Sequence, residues 1–345
     1  MDIDKVVDYR DIDGRIWESE LEEFVPARLY DVHSHLQTIE AVGPESPWRG
    51  ERFFQGPWAD STFALLNGCA ERLYHGREVH YLLVPNPLGP RTLEEFAVLN
   101  RFMAREGEND AASGKSMVVR PGMSGEYVAA TAKDGGFDGL KGYYLLAEVE
   151  DKADARITDF YPEEIIEAAD SLGLIITLHL SKRRGCADEE NLADLEYLTK
   201  RYPNVQWVLA HCGRAFAPWI MEQAVGRLER LPGNVWYDTA AVCEDAVFYT
   251  MFKRLPLQRI LYGSDLIPAA LDRGKYIAFG YAWMLLTEDQ LRGKLTHCEP
   301  TPTIVLNECL RAIRLAALAA GLDGTQIEDL FWNNARALLG RVRGS

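Results

Sequence analysis

The chain has 345 residues, of which 47% are hydrophobic and 26% are charged, and this composition predicts one large folded domain with a substantial core rather than a disordered chain. Its formal net charge of −15 disfavours nucleic acid and anionic membranes as partners, because a polyanion repels both. No apolar run reaches the length of a membrane span, and the acidic N-terminus lacks the pattern of an export signal. The six cysteines contain no CxxC pair. We therefore expect a protein of the reducing cytoplasm.

Residues 1–27 are charged, with scattered apolar positions, and are interpreted as an N-terminal extension of a catalytic domain that spans residues 28–345. From residue 28 onwards, short β-branched runs alternate with longer helical patterns, which is typical of repeated βα units and a parallel sheet. Eight such runs occur: Arg28–His35, Glu78–Val84, Ser116–Arg120, Phe137–Tyr143, Leu174–His179, Val205–His211, Val235–Thr239 and Ile260–Ser264. Eight strands close a (β/α)₈ TIM barrel, which is the predicted fold.

Helices are predicted between these strands and after the last of them, from apolar spacing and from flanking proline and glycine signals. The predicted helices are Ser61–Tyr74, Leu93–Glu106, Glu126–Lys133, Pro162–Ser171, Asn191–Arg201, Pro218–Arg230, Asp245–Arg254, Pro302–Ala320 and Thr325–Leu339. The last two are additional C-terminal helices that would cover the outside or the floor of the barrel. Two loops, Gln37–Trp58 and Gly185–Glu190, are predicted to carry substrate specificity.

Histidines fall at the ends of the predicted strands. His33 and His35 end the first strand, His179 ends the fifth, His211 ends the sixth, and Asp265 follows the eighth. All strands of such a barrel open onto one face at their C-terminal ends, so these distant residues should converge.

His33 and His35 are two residues apart, so that their side chains point to the same side of a strand and can share one metal ion. Imidazole nitrogens with a carboxylate oxygen suit Zn²⁺, with Mn²⁺ as the second choice, and an incomplete protein shell leaves a position for water. The sequence therefore predicts a divalent-ion site at this end of the barrel.

The chain resembles the amidohydrolase-related family of metal-dependent barrels from His33 to about Leu339. The resemblance rests on five motifs that occur in the family's order: DVHSH, TLH, LAHCG, YGSD and the closing WNNARALLG. That family contains hydrolases and nonoxidative decarboxylases. The resemblance implies a distorted (β/α)₈ barrel. It also implies that His33, His35, His179 and Asp265 are metal ligands, and that His211 is a catalytic or second metal-ligating histidine.

Charged residues near the strand ends are candidates for substrate contacts. Lys141 on the fourth strand is interpreted in three ways: as a carbamylated bridge to a second metal ion, as a contact for a substrate carboxylate, or as a solvated lysine. A second ion is expected only if Lys141 is carbamylated. Arg120 and Arg214 are predicted to bind an anionic group of the substrate. Asp31, one layer deeper than the histidines, is expected to be a hydrogen-bonded structural carboxylate.

The predicted reaction is the hydrolysis of an amide, lactone or related C–N or C–O bond of a small anionic substrate by metal-activated water, with Asp265 shuttling the proton and His211 polarising the substrate oxygen. Nonoxidative decarboxylation of a small carboxylic acid at the same metal is the first alternative. A noncatalytic ligand-binding barrel is the second. The sequence leaves open whether the chain forms a homo-oligomer.

Overall fold

The computed structural model describes residues 3–267, 269–299 and 301–344. Eight parallel strands form one sheet in the order of the chain, from β1 to β8. The strands are β1 Arg28–Leu36, β2 Glu78–Pro85, β3 Gly114–Val118, β4 Gly139–Tyr143, β5 Ile175–His179, β6 Gln206–Leu209, β7 Val235–Asp238 and β8 Ile260–Leu261. With helices between the strands, the predicted (β/α)₈ barrel is confirmed.

The ring closes between β1 and the segment that follows β8. Val32 N–H donates to the Tyr262 carbonyl at 3.0 Å, and Asp265 N–H donates to the His33 carbonyl at 2.9 Å. Asp31 reinforces the seam, since its buried carboxylate accepts the backbone N–H groups of His33 and Ser264 and the Ser264 hydroxyl. Burial raises the pKa of Asp31 to about 6, against the effect of these hydrogen bonds. Asp31 therefore has the structural position that the sequence indicated.

Helices surround the sheet, and their first residues explain where they begin. The Thr92 hydroxyl accepts a hydrogen bond from the Glu95 N–H, and the Glu95 carboxylate accepts one from the Thr92 N–H. This capping box starts one helix at Leu93. The principal helices are Phe63–Leu73, Leu93–Glu106, Gly125–Gly135, Glu163–Leu172, Glu189–Arg201, Pro218–Leu228, Asp245–Arg254, Val305–Ala320, Gly324–Glu328 and Asn334–Arg343. No described helix is long and apolar enough to cross a membrane.

The C-terminal helices close the floor of the barrel. A π-helical turn, Asp329–Asn333, links Gly324–Glu328 to Asn334–Arg343, where one helix over Thr325–Leu339 was predicted. Its Trp332 packs in one buried cluster with Tyr30, Leu82 and other residues of the lower strand ends. The floor is thus filled with apolar side chains, which leaves the opposite end of the barrel for a site.

The described part of the N-terminal extension, residues 3–27, packs onto the barrel. It holds a helix, Asp11–Ile16, and a π-helical turn, Trp17–Leu21. Asp13 is fully buried and accepts a hydrogen bond of 2.7 Å from Arg273, and its other oxygen accepts the Ile304 N–H at 3.1 Å. The domain boundary at residue 28 stays a prediction.

An antiparallel hairpin, which the sequence reasoning did not predict, follows β8. Its strands are β9 Gly274–Phe279 and β10 Ala282–Thr287. Gly280 at the turn has a φ of 57°, a conformation that glycine adopts without steric cost. The hairpin is fastened to the barrel because Ala278 N–H donates to the Glu244 carboxylate at 3.0 Å. It brings two aromatic residues to the site described next.

Candidate active site

A cavity of about 410 Å³ lies at the C-terminal end of the barrel. It collects seven of the eight residues singled out from the sequence as ligands, catalytic groups or substrate contacts: His33, His35, Lys141, His179, His211, Arg214 and Asp265. The remaining lining is largely aromatic and apolar, and it includes Phe53, Tyr143, Tyr144, Phe216, Tyr276 and Trp283. Polar groups converging in an apolar pocket are the usual composition of a small-molecule site.

The tightest group in the cavity consists of His33, His35 and Asp265. Asp265 Oδ1 lies 3.2 Å from His35 Nε2 and 3.7 Å from His33 Nε2. One ligand atom from each of the three residues lies within 4.8 Å of the others, a spacing that can hold a metal ion. His33 Nε2 and His35 Nδ1 are buried and have no hydrogen-bond partner in the described structure, which is costly for a polar atom unless something binds there.

Three imidazoles have their orientation fixed through Nδ1. His33 Nδ1 lies 2.9 Å from Asp238 Oδ2, His211 Nδ1 lies 2.9 Å from the Ala240 carbonyl, and His179 Nδ1 lies 3.1 Å from the Leu180 carbonyl. With Nδ1 as the donor in each pair, Nε2 carries the lone pair. An acceptor that holds Nδ1–H in this way is the usual partner of a metal-binding histidine.

His179 adjoins this group through His211. The ring centroids of these two residues are 5.0 Å apart, and those of His33 and His211 are 4.9 Å apart. His33, His211 and Asp238 form a second set of ligand atoms within 4.8 Å of one another, and His179 belongs to neither set. The four predicted ligands therefore share one cavity, but His179 lies outside the two closely spaced sets.

Asp238 was missed by the sequence reasoning, although it ends β7 and the same strand-end argument would have found it. Its Oδ2 holds His33, and its Oδ1 accepts the backbone N–H of His211 at 2.7 Å and of Ala240 at 3.1 Å. Both oxygens of this fully buried carboxylate are therefore used to position the two histidines.

We expect Asp238→Asn to weaken zinc binding by roughly 10- to 100-fold. The amide oxygen can still accept the two backbone N–H groups, but the amide NH₂ then faces His33 Nδ1 and favours the tautomer that protonates Nε2. Competition with a fluorescent chelator measures the affinity, and circular dichroism verifies the fold. An unchanged zinc affinity would show that Asp238 does not orient His33.

Two residues of the site, His211 and Asp265, have left-handed backbone conformations. His211, Cys212, Gly213 and Arg214 all have φ between 55° and 71°, and Asp265 has a φ of 67°. Such conformations are rare for residues other than glycine and cluster at functional sites. The turn follows β6, which ends at Leu209, and it carries His211 and Arg214, both of which line the cavity.

Burial and neighbouring charges set the protonation of the site. Burial lowers the pKa of His33, His179 and His211, so that these imidazoles are neutral near pH 7, which is the form that binds metal. Burial alone would raise the pKa of Asp265, but the hydrogen bond with His35 and the neighbouring imidazoles hold that pKa far below its usual range. The site thus combines neutral imidazoles with an ionised carboxylate.

Lys141 lies on β4 and is only 2% exposed. Burial lowers the pKa of its ammonium group to about 8, although Asp238 and Asp265 oppose the shift. It lines the cavity, so the interpretation of Lys141 as a solvated lysine is wrong.

We expect Lys141→Met to stabilise the metal-free protein near pH 7 by roughly 3 kcal/mol. In the wild type a charged amine is buried, and the free-energy cost of burying it corresponds to the fall of its pKa from 10.5 to about 8. The penalty is complete below about pH 8 and disappears as the pH rises towards 10.5, because the folded protein loses the proton first. Urea unfolding of both proteins at pH 7 and pH 10 measures this difference. A less stable variant at pH 7 that has also lost metal in its native form would indicate the carbamylated bridge.

The two candidate arginines differ in position. Arg214 lines the cavity and donates to the Lys182 carbonyl at 2.6 Å. Arg120 is not among the residues that line the cavity, and its guanidinium donates to two backbone carbonyls and to Glu148. The third strand ends at Val118 rather than at residue 120, so Arg120 belongs to the loop beyond it. Only Arg214 is brought to the candidate site.

The loops contribute less than expected, and the hairpin contributes more. Phe53 is the one residue of Gln37–Trp58 in the lining, and none of Gly185–Glu190 is part of it. Tyr276 and Trp283 come from the hairpin, and Phe216 follows the left-handed turn. Two short apolar runs separated by Gly280 were the available signal for the hairpin.

An eight-stranded barrel that gathers imidazoles, carboxylates and a lysine at its strand ends has the architecture of a barrel enzyme. A family model described as amidohydrolase matches residues 96–341, which is more than half of the chain. The chain therefore belongs to the amidohydrolase family, whose members usually bind a divalent metal ion. The match includes His179, His211 and Asp265, whereas His33 and His35 precede it.

Solved structures with the same fold include enzymes of different reaction types. The 4-oxalomesaconate hydratase from Rhodopseudomonas palustris is 14% identical, with a TM-score of 0.57 over 92% of this chain and 97% of that one. A probable 2-pyrone-4,6-dicarboxylic acid hydrolase from Acinetobacter baumannii is 12% identical, with a TM-score of 0.56 over 90% and 99%. The 5-carboxyvanillate decarboxylase from Sphingomonas paucimobilis is 13% identical, with a TM-score of 0.52 over 91% and 99%. No protein of curated function matched the sequence. Identities this low establish the fold alone.

Proposed function

We propose that this protein is a metal-dependent hydrolase that cleaves an amide, lactone or related C–N or C–O bond of a small anionic substrate. The observation that carries the proposal is the group of His33, His35 and Asp265, in which a buried Nε2 without a partner faces an ionised carboxylate oxygen at 3.7 Å. A noncatalytic barrel would have no reason to keep such a costly polar group in its mouth.

The donor set fits one divalent cation. His33, His35, His179 and Asp265 would hold it, and these nitrogen and oxygen ligands without thiolates favour Zn²⁺, with Mn²⁺ as the second choice. When bound, the ion supplies Lewis acidity, which polarises a substrate oxygen and makes water more acidic. A second ion would require a carbamylated Lys141.

Charge balance supports an anionic substrate. Lys141 and Arg214 bring positive charge to the cavity, and both are close enough to His179 to lower its pKa. The lining carboxylate of Asp272 is already paired with Arg52. With a divalent cation added, the positive charge of the ion, Lys141 and Arg214 exceeds the negative charge of Asp238 and Asp265. The cavity would therefore attract an acidic group of the substrate.

Asp265 and His211 supply the acid–base chemistry. Asp265 is ionised, since its pKa is held low, and its carboxylate has one oxygen for the metal ion and a second that would shuttle the proton of the attacking water. His211 is neutral and directs Nε2 away from the Ala240 carbonyl that holds Nδ1. Its Nε2 would receive the proton that Asp265 takes from water, and the resulting imidazolium would polarise the substrate oxygen and protonate the leaving group.

Nonoxidative decarboxylation is the second candidate. Lys141 and Arg214 lie in the same cavity as the candidate metal ligands, so a substrate carboxylate can be held beside them. Asp265 and His211 would then pass a proton from water to the carbon from which CO₂ leaves.

Product analysis distinguishes the two reactions. The zinc-loaded protein is incubated with a panel of lactones, amides and hydroxy- or amino-aryl acids in H₂¹⁸O. Hydrolysis predicts an organic product that carries one ¹⁸O, whereas release of CO₂ with no ¹⁸O in the organic product would overturn the hydrolase assignment in favour of the decarboxylase. Stable binding of panel compounds without any turnover would support the noncatalytic barrel.

A further inference from the structure

The left-handed turn at residues 211–214 needs support from its surroundings. All four residues have a positive φ, and Ala215 N–H donates to the His211 carbonyl at 3.0 Å, so the segment is a single turn of left-handed helix. This conformation brings the Cβ atom of an L-residue too close to the carbonyl that follows, and three of the four residues are not glycine. Such a backbone persists only where the neighbouring structure enforces it.

The loop after β5, residues 180–188, lies directly against this turn. A Cβ atom placed on Gly185 would lie 2.8 Å from the Arg214 carbonyl oxygen and 3.0 Å from that of Gly213. From the other side, a Cβ atom on Gly213 would lie 2.9 Å from Cys186 Cβ. Since the atoms nearest to Gly185 belong to the backbone, no side-chain rotation would make room for a methyl group there. The contact therefore requires glycine.

Hydrogen bonds fix the loop on both sides. Towards the turn, the Lys182 carbonyl accepts a hydrogen bond of 2.6 Å from the Arg214 guanidinium. On the other side, the side-chain amide of the fully buried Asn191 donates to the carbonyls of Ser181 and Gly185, at 3.0 Å each. The loop is thus a fixed surface against which the turn packs.

His211 begins this turn, so the position of its ring depends on the turn. Its Nδ1 lies 2.9 Å from the Ala240 carbonyl, and its backbone N–H donates to Asp238 at 2.7 Å. A displaced turn would take the ring away from Ala240. His33 would keep its own contact with Asp238, because it belongs to β1.

We propose that Gly185 is a positioning residue, whose missing side chain lets the loop after β5 support the left-handed turn and so directs His211 Nε2 into the cavity. The inference rests on the proposed function, because it assigns the part of the chain that orients the proposed acid–base group. It gives the loop Gly185–Glu190 a role other than the predicted contact with substrate, since the cavity lining includes none of its residues.

The orientation of His211 can be measured without metal or turnover. In chelator-treated protein labelled with ¹⁵N-histidine, two-bond ¹H–¹⁵N correlation spectra give the tautomer of each of the seven imidazoles, and His211→Asn assigns the His211 signals. We expect the Nδ1–H tautomer of His211 in the wild type and its loss in Gly185→Ala, while the His33 signals stay as they are. Unchanged His211 signals in Gly185→Ala would overturn the inference.

Gly136→Ala is the matched control. Gly136 has a φ of 60°, against 51° at Gly185, but a Cβ atom on it would lie 3.9 Å from the nearest atoms, which belong to the Lys115 side chain. It precedes β4, at the opposite end of the barrel from the cavity. This variant carries the same backbone strain without the contact, so its His211 signals should match the wild type. Equal changes in both variants would contradict the inference.

A milder variant covers the case in which Gly185→Ala does not fold. Asn191→Leu removes both hydrogen bonds that hold the loop from behind, and it adds no atom at the contact with the turn. It should also reduce the Nδ1–H tautomer of His211. A His211 spectrum that matches the wild type in Asn191→Leu would show that the loop does not position the ring.

Kinetics on the substrate found in the product screen distinguish positioning from a general structural effect. Gly185→Ala should lower kcat by roughly tenfold to a hundredfold with the metal retained. In the His211→Asn background the same substitution should lower the residual kcat by less than about twofold, because no imidazole is left to position. Equal factors in both backgrounds would contradict the inference. A protein without turnover but with the expected His211 spectra would overturn the proposed hydrolase and leave the role of Gly185 standing.

Discussion

Replacement of Asp265 by asparagine should lower kcat by about a thousandfold or more. The substitution removes the ionised oxygen that lies 3.2 Å from His35 Nε2 and 3.7 Å from His33 Nε2, and with it both a ligand charge and the proposed proton acceptor. Steady-state kinetics on the substrate found in the product screen measures the loss, and metal analysis of the same sample shows whether the ion is retained.

Asp272→Asn is the control for this variant. Asp272 lines the same cavity, but its carboxylate is paired with Arg52 at the rim. We expect Asp272→Asn to retain activity within about tenfold of the wild type, because a partly exposed ion pair contributes little free energy. A similar loss in both variants would mean that activity depends on the acidity of the cavity as a whole and not on Asp265.

The second large effect is expected for His211→Asn, which should lower kcat by roughly 10²- to 10⁴-fold while the bound metal is retained. The asparagine NH₂ can replace Nδ1 as the donor to the Ala240 carbonyl, so that the local structure is kept, but no group is left that can carry a proton at the position of Nε2. Kinetics and metal content are measured on one preparation. Loss of the metal would instead make His211 a ligand, as its proximity to His33 allows.

The barrel could be predicted from the sequence because its signals are local and repeated. Most strands are short apolar runs that contain β-branched residues, and closure at eight strands follows from counting the runs. The convergence of His33, His179 and Asp265 then follows from topology alone, since strand ends of a parallel barrel share one face. No detail of side-chain packing was needed for that step.

The features that were missed depend on the backbone beyond the strands. The left-handed turn through His211 and Arg214 has one glycine in four residues, so composition gives little warning of it. The strand before Arg120 ends two residues earlier than predicted, so Arg120 lies in the loop after it. There its guanidinium donates to Glu148 instead of lining the cavity. The hairpin Gly274–Thr287 was overlooked because it lies outside the repeated βα pattern.

His33, His35, His179 and Asp265 are proposed to bind a catalytic metal ion. The most direct test is elemental analysis of protein purified without added metal or chelator, together with His33→Ala as the comparison. We expect about one equivalent of a divalent ion in the wild type and loss of most of it in the variant. Less than about half an equivalent in the wild type, with no activity restored by Zn²⁺, Mn²⁺ or Co²⁺, would contradict the account.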